Sequence, residues 1–162
     1  MIDFEKLNFP QFQLKMKAEG DKFKVFDPVR KKYFALTPEE WVRQHCLHML
    51  ISFQDVPAGL IAVEKSFAYN TRTYRADIVV YNKVHKPILI VECKAPEINI
   101  TEKTFDQIFR YNLVLKVPYL WVTNGREHYI AQIDFNTKKS HLLKALPDFG
   151  VMNQLVEQND LI

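Results

Sequence analysis

Asp77, Glu92 and Lys94 are the residues of this chain whose types and spacing could do chemistry. Asp77 heads an apolar run, Ile78-Val79-Val80-Tyr81, and Glu92-Cys93-Lys94 closes another, Ile88-Leu89-Ile90-Val91. A short polar break, Asn82 to Pro87, separates them. Both runs have strand character, and side chains two apart on a strand share a face, so Glu92 and Lys94 point the same way. Paired as a hairpin, the runs bring Asp77 beside Glu92 at one end of a small sheet. Two close carboxylates repel unless a cation lies between them, and hard oxygen ligands favour Mg²⁺ or Mn²⁺. A lysine beside such a metal can orient an attacking water and help deprotonate it. This is equipment for hydrolysing a phosphodiester.

Each residue also has a plainer reading. Asp77 follows Arg75 and could form a surface ion pair, although Asp is depleted in strands and its place ahead of three apolar residues favours a ligand role. Glu92 follows four apolar residues, where an acid is costly unless paired or bound to a cation. Lys94 alone could be that partner in a structural salt bridge. Cys93 faces the other way and is expected in the core. Upstream, Thr37-Pro38-Glu39-Glu40 is a helix start, with a capping Thr, Pro at the first position and acids in the first turn. At roughly 100° per residue, Glu39 shares the apolar stripe of Val42, Cys46 and Leu50, while Glu40 lies at its margin. Only Glu39 is then aimed at the sheet, and the helix dipole suffices to explain Glu40. Arg43 and Gln44 suit phosphate contact or a solvated helix flank equally. The five histidines form no ligand spacing on a shared element, and Glu64 is a lower-ranked metal neighbour.

Asp77, Glu92, Cys93 and Lys94 resemble the D…(D/E)xK core of the PD-(D/E)xK nuclease superfamily. The wider stretch is similar to the N-terminal nuclease domain of type I restriction enzyme R subunits. That resemblance runs through Thr37 to Gln44, Val91-Glu92-Cys93-Lys94-Ala95-Pro96, Gln107-Ile108-Phe109-Arg110-Tyr111 and Thr123-Asn124-Gly125. It covers about residues 15 to 145; Ala76 replaces the proline of the superfamily's name, which alters a turn and removes no ligand. The resemblance implies an α/β three-layer restriction-endonuclease-like fold and an acid on the first helix that reaches the metal site, for which Glu39 is the choice. It also implies that Gln107 and Tyr111, four apart on one helix face, position substrate or buttress Lys94. Arg43 joins them as a candidate substrate-positioning residue on its own reading, not through the resemblance. The expected function is a metal-dependent DNA endonuclease. Asp77 and Glu92 hold Mg²⁺ or Mn²⁺, a backbone carbonyl near Cys93 completes the shell, and Lys94 positions water. Motor, methyltransferase and specificity subunits are the implied partners. The alternative is a nuclease-fold module that binds DNA or a restriction or repair partner and does not cut.

The elements that must position these residues follow from local pattern. A β-hairpin is expected around Glu19-Gly20-Asp21, a short strand over Lys32 to Leu36, and a helix from Thr37 to about Phe53 with stripe Val42, Cys46, Met49, Leu50 and Phe53. Strands follow over Leu60 to Phe67, Thr73 to Tyr81 and Ile88 to Cys93, then a helix over Glu102 to Leu115. Further strands are expected over Tyr119 to Thr123, His128 to Ile133 and Ser140 to Leu143. The strand Ile88 to Val91 is apolar on both faces, so it should be central, with a right-handed parallel crossover to Tyr119. The 162 residues suggest a single domain: a hairpin region (1–36), a nuclease core (37–145) and a tail from 146, loosely tied or briefly helical.

Composition excludes some classes. No run of about 18 apolar residues exists, which argues against a membrane span. No CxxC or HxxxH cluster suggests zinc, and no GxxxxGK[ST] loop suggests an ATP-driven motor. The start lacks a signal-peptide pattern and the two cysteines, Cys46 and Cys93, suit buried free thiols, so a cytoplasmic setting is expected. The net charge of +3 is mild, but Lys15, Lys17, Lys22, Lys24, Arg30, Lys31 and Lys32 crowd the N-terminal hairpin. They form either a phosphate-holding arm or a solvated face.

Overall fold

A computed structural model describes residues 4–159, apart from the side chains of Tyr69, Tyr111 and residues 156–159. The N-terminal hairpin forms β1 (Met16–Glu19) and β2 (Lys22–Asp27), turning at Gly20, whose φ of +60° suits a residue without a Cβ. A third strand, β3 (Lys32–Ala35), pairs antiparallel with β2, so the expected hairpin is a separate three-stranded sheet.

Helix α1 (Pro38–Ser52) starts as its sequence dictates, with the Thr37 hydroxyl accepting from the Glu40 N–H at 3.0 Å. Its apolar stripe is only partly as expected. Val42, Cys46 and Leu50 are fully buried, but so is Leu47, while Phe53 lies past the helix end and is mostly exposed. A single 3₁₀ turn (Ala58–Leu60) then leads into β4 (Ile61–Tyr69).

The main sheet runs β4, β5 (Arg72–Tyr81), β6 (Pro87–Cys93), β7 (Tyr119–Thr123), β8 (His128–Asp134), β9 (Lys139–Leu143) in spatial order. Every pairing is antiparallel except β6 with β7, which α2 (Glu102–Leu115) connects. Residues of β6 after Pro87 are all buried, as two-sided apolarity requires of a central strand. On one face, Val42, Cys46, Leu47 and Leu50 of α1 pack on Ile78, Val80, Leu89, Val91 and Trp121. On the other, Ile108 of α2 packs on Val79, Ile90, Leu120 and Val122. This is a three-layer α/β/α fold with a mixed central sheet.

The tail is more firmly held than its composition suggests. Residues Phe149–Asn159 form α3, and Phe149 and Met152 join the core on the α1 face. The N-terminal segment is also tied down. Leu7 is buried against Gly125, the Asn8 N–H donates to the Gly125 carbonyl at 2.7 Å, and Phe9 meets Trp121 and His128. Among the described residues no helix is long and apolar enough to cross a membrane.

Candidate active site

The register of β5 against β6, with Ile78 opposite Val91, sets Asp77 opposite Glu92 at one end of the sheet. Glu92 is two residues beyond Ile90 and so faces the α2 side, with Lys94 after it. The Lys94 ammonium donates to Glu92 Oε1 at 2.8 Å, and its backbone N–H donates to the Thr123 carbonyl, also at 2.8 Å. Asp77 accepts from the Cys93 N–H at 2.8 Å through Oδ2 and from Arg43 Nη2 at 2.8 Å through Oδ1. The surface pair with Arg75 does not form; Arg75 is exposed and lies 3.8 Å from Glu64 instead.

Asp77 reaches α1 because the strand pleat breaks there. Ala76 and Val79, three apart, both pack on the α2 side, which strict alternation forbids. Opposite Asp77, between the pairs Val63–Ile78 and Lys65–Ala76, Glu64 adopts φ +52°, a left-handed conformation costly for a side-chain-bearing residue. Such local irregularities re-aim side chains near functional sites. Here one lets Asp77 and Glu92 meet while Asp77 also reaches the first helix.

The helix contributes differently from the expectation. Glu39, the acid aimed at the sheet in the sequence reading, has a side chain 45% exposed and accepts from Arg43 at 3.1 Å. It is close enough for its charge to act on Lys94. Glu40 is the buried acid: it accepts from Arg30 at 2.9 Å, from Gln44 at 2.8 Å and from Arg43. The helix dipole is therefore not its explanation. Arg43 and Gln44 are buried, not a solvated flank, and Arg43 is committed to Glu39, Glu40 and Asp77. A substrate phosphate would have to displace one of those carboxylates. Arg30 likewise leaves the proposed basic arm: it donates to Asp27 at 2.8 Å, to Glu40 and to Glu64 at 3.0 Å, and it stacks on Phe34. Asp27 is fully buried and accepts from Gln44 at 2.9 Å. No local sequence pattern links Asp27 or Arg30 to residues 40 to 94, so only the fold brings them into the site.

The result is one network of six carboxylates, Asp27, Glu39, Glu40, Glu64, Asp77 and Glu92, against three cations, Arg30, Arg43 and Lys94. Arg75 touches only its rim. The excess negative charge shows at Glu92, where burial and the neighbouring Asp77 push the carboxyl up to about 7 against the opposing effect of Lys94. Burial alone would lower Lys94, but its bond to Glu92 and the charges of Glu92, Asp77 and Glu39 raise it, so it stays an ammonium. Arg43 behaves similarly: burial opposes its charge, and Asp77 and Glu40 outweigh burial. Cys93 faces the α1 core with its sulfur 3.9 Å from that of Cys46, and the thiol is pushed well up by that contact and by burial. It is no nucleophile.

Among the described residues no group of three or more His, Cys, Asp or Glu side chains is arranged to hold a metal ion. Two carboxylates with excess charge nevertheless fit Mg²⁺, which keeps several waters and takes only one or two protein carboxylates alongside substrate phosphate. Gln107 lies on the exposed side of α2, in a groove with Arg72, Tyr74, Lys103, Asp106 and Arg110 whose lining includes neither carboxylate of the pair. The side chain of Tyr111 lies outside the described residues.

A mixed sheet between helices, with an acid and an Glu-x-Lys triplet meeting at the ends of adjacent antiparallel strands, defines a restriction-endonuclease-like fold. The family model for the type I restriction enzyme R protein N terminus matches residues 38–147, well over half of the chain. The chain belongs to that family. Among solved structures it is similar to a fragment described as an HsdR subunit of a type I restriction enzyme from Vibrio vulnificus YJ016, with a TM-score of 0.54 and 19% identity. The match covers 78% of this chain and 26% of that one, so this chain spans about a quarter of its length. No curated protein matches.

Proposed function

We propose that this chain is a metal-dependent DNA endonuclease domain. The observation that carries the reading is the meeting of Asp77, Glu92 and Lys94 at one sheet end, in a chain of this family. Asp77, Glu92 and the Cys93 carbonyl would hold Mg²⁺ or Mn²⁺. When bound, that ion supplies Lewis-acid stabilisation of the phosphoryl oxygens and a more acidic water. Lys94, kept protonated by its carboxylate neighbours, orients the attacking water and opposes charge developing on the phosphate. Arg43 holds Asp77 in place, and Glu39 stands at the mouth of the site within electrostatic reach of Lys94. Gln107 and Tyr111 position the strand to be cut. DNA is the substrate, and motor, methyltransferase and specificity subunits are the partners in restriction.

The test is cleavage of linear, circular, single-stranded and modified DNA with Mg²⁺ or Mn²⁺. Asp77→Ala, Glu92→Ala and Lys94→Ala should each abolish it while circular dichroism shows an intact fold. Wild-type activity in all three variants would sink the assignment. Titration calorimetry with Mn²⁺ separates the alternative: DNA binding with neither metal uptake nor cleavage marks a non-cutting module.

A further inference from the structure

Helix α2 carries two stripes. Phe105, Ile108, Phe109 and Asn112 turn inward, whereas Lys103, Asp106, Gln107 and Arg110 recur at the i, i+3, i+4, i+7 spacing of a single outward face. Across from that face lie Arg72 and Tyr74 of β5, and the two elements enclose a groove of about 340 Å³. Three cations therefore converge on one groove, against the single carboxylate of Asp106. Among the described residues the side chains of Arg72, Lys103 and Arg110 make no ion pair or hydrogen bond, unlike those of Arg30, Arg43 and Lys94. Unpaired cations crowded around a groove repel one another, and an anion lying along it relieves the repulsion.

We propose that this groove is a phosphate-binding track for duplex DNA, with Arg72, Lys103 and Arg110 as its backbone contacts. The proposal rests on DNA being the substrate of the carboxylate site. The same strand, β5, carries Arg72, Tyr74 and Asp77, and five strand residues at about 3.3 Å each put Arg72 roughly 16 Å from Asp77. That is about five base pairs at 3.4 Å each, so the track holds the duplex within half a helical turn of the cleavage point. The N-terminal basic residues serve this purpose less well. Arg30 is consumed by three carboxylates, Lys24 pairs with Glu19, and Lys15 and Lys17 lie over Phe26 and Tyr33.

The test is fluorescence anisotropy of the whole chain with a labelled duplex of arbitrary sequence, in EDTA so that nothing is cut, over a series of salt concentrations. Each lost phosphate contact should lower the log–log salt slope by roughly 0.9. The triple variant Arg72→Gln/Lys103→Gln/Arg110→Gln should lose about 2.7 from the slope and up to roughly 500-fold in affinity at 0.1 M salt. Arg72→Lys/Arg110→Lys keeps the charge and should keep the slope, which separates charge from any structural damage. Asp106→Asn should bind more tightly than wild type. An unchanged slope in the triple variant would overturn the track. So would wild-type chain that binds no duplex at low salt, or a slope that falls instead in Lys22→Gln/Lys31→Gln/Lys32→Gln. Because binding is read without cleavage, an inactive carboxylate site and a failed track give different results.

Discussion

In the metal-free chain, the proton at Glu92 should be visible in the stability of the fold. Burial and the Asp77 charge hold this carboxyl at about 7, against an ordinary 4.5. An acid with a raised folded pKa binds its proton more tightly when folded, so its carboxyl is best tolerated below the unfolded value. Stability is then lost as the pH rises from about 4.5 to about 7. At roughly 1.4 kcal/mol per pH unit across that window, the loss reaches about 3 kcal/mol. That is a sizeable part of the roughly 5–15 kcal/mol that holds a domain together. His45, His48 and His128 act in the opposite sense. Burial lowers each, so their contribution is lost as the pH falls through the ordinary histidine value of 6.5. Glu92→Gln removes the acid and leaves the histidines, so the difference between variant and wild type isolates Glu92. Urea unfolding in EDTA, followed by the fluorescence of Trp41 and Trp121, measures both curves between pH 4.5 and 8. The variant should gain on wild type by about 3 kcal/mol over that range. Parallel curves would refute the picture of two crowded carboxylates. Adding Mg²⁺ at pH 8 should raise the midpoint of wild type and leave Glu92→Gln nearly unmoved.

Other consequences can be checked by the same methods. Arg43→Met should cost about 3–5 kcal/mol in urea unfolding, because it leaves Glu40 and Asp77 buried without their shared cation. Adding Glu40→Gln to that variant should recover part of the loss. Gly125→Ala should cost about 1–3 kcal/mol, since φ is +84° and the new Cβ would sit 2.8 Å from Leu7 Cδ2. Combining it with Leu7→Ala should cost less than the sum of the two. Cys46 and Cys93 should resist an aromatic disulfide reagent in the native protein and react fully in urea, with the rate following global unfolding.

The parts of the fold that sequence made legible are those fixed by local chemistry. α2 spans Glu102–Leu115 and β7 spans Tyr119–Thr123, as apolar period and turn residues imply. The meeting of Asp77 with Glu92 was legible as well, because alternation and a short hairpin leave little freedom in register. α1 was harder. Glu40, Arg43, Gln44 and His45 are all buried, so its buried surface is not an apolar stripe and periodicity does not mark Glu40 as a buried acid. Their partners, Asp27, Arg30 and Asp77, come from other elements and leave no mark on the helix itself. The same holds for Glu64, whose left-handed backbone lies between the pairs Val63–Ile78 and Lys65–Ala76 and leaves no mark in its own sequence. The burial of Phe149 and Met152 has no local signature, because a short tail helix draws its stability from the surface that it covers, not from its own propensity.

The charge balance of the buried network is what ties stability to function. The chain as a whole is basic by three charges, yet the buried part of its ionic cluster, Asp27, Glu40, Asp77 and Glu92 against Arg30, Arg43 and Lys94, is acidic by one. A network built only to stabilise would be better balanced, since each unpaired buried charge costs several kcal/mol. Arg30 and Arg43 neutralise the part of the cluster between β2 and α1, where Asp27 and Glu40 are deepest. The deficit therefore falls at the sheet end, on Glu92 and Asp77, where only Lys94 and one bond from Arg43 oppose them. A cation arriving there would complete the balance, and neutralising Glu92 would favour the metal-free fold at neutral pH while ending the proposed chemistry. That opposition of stability and activity distinguishes a working site from a structural salt bridge, in which losing Glu92 would weaken the fold at every pH.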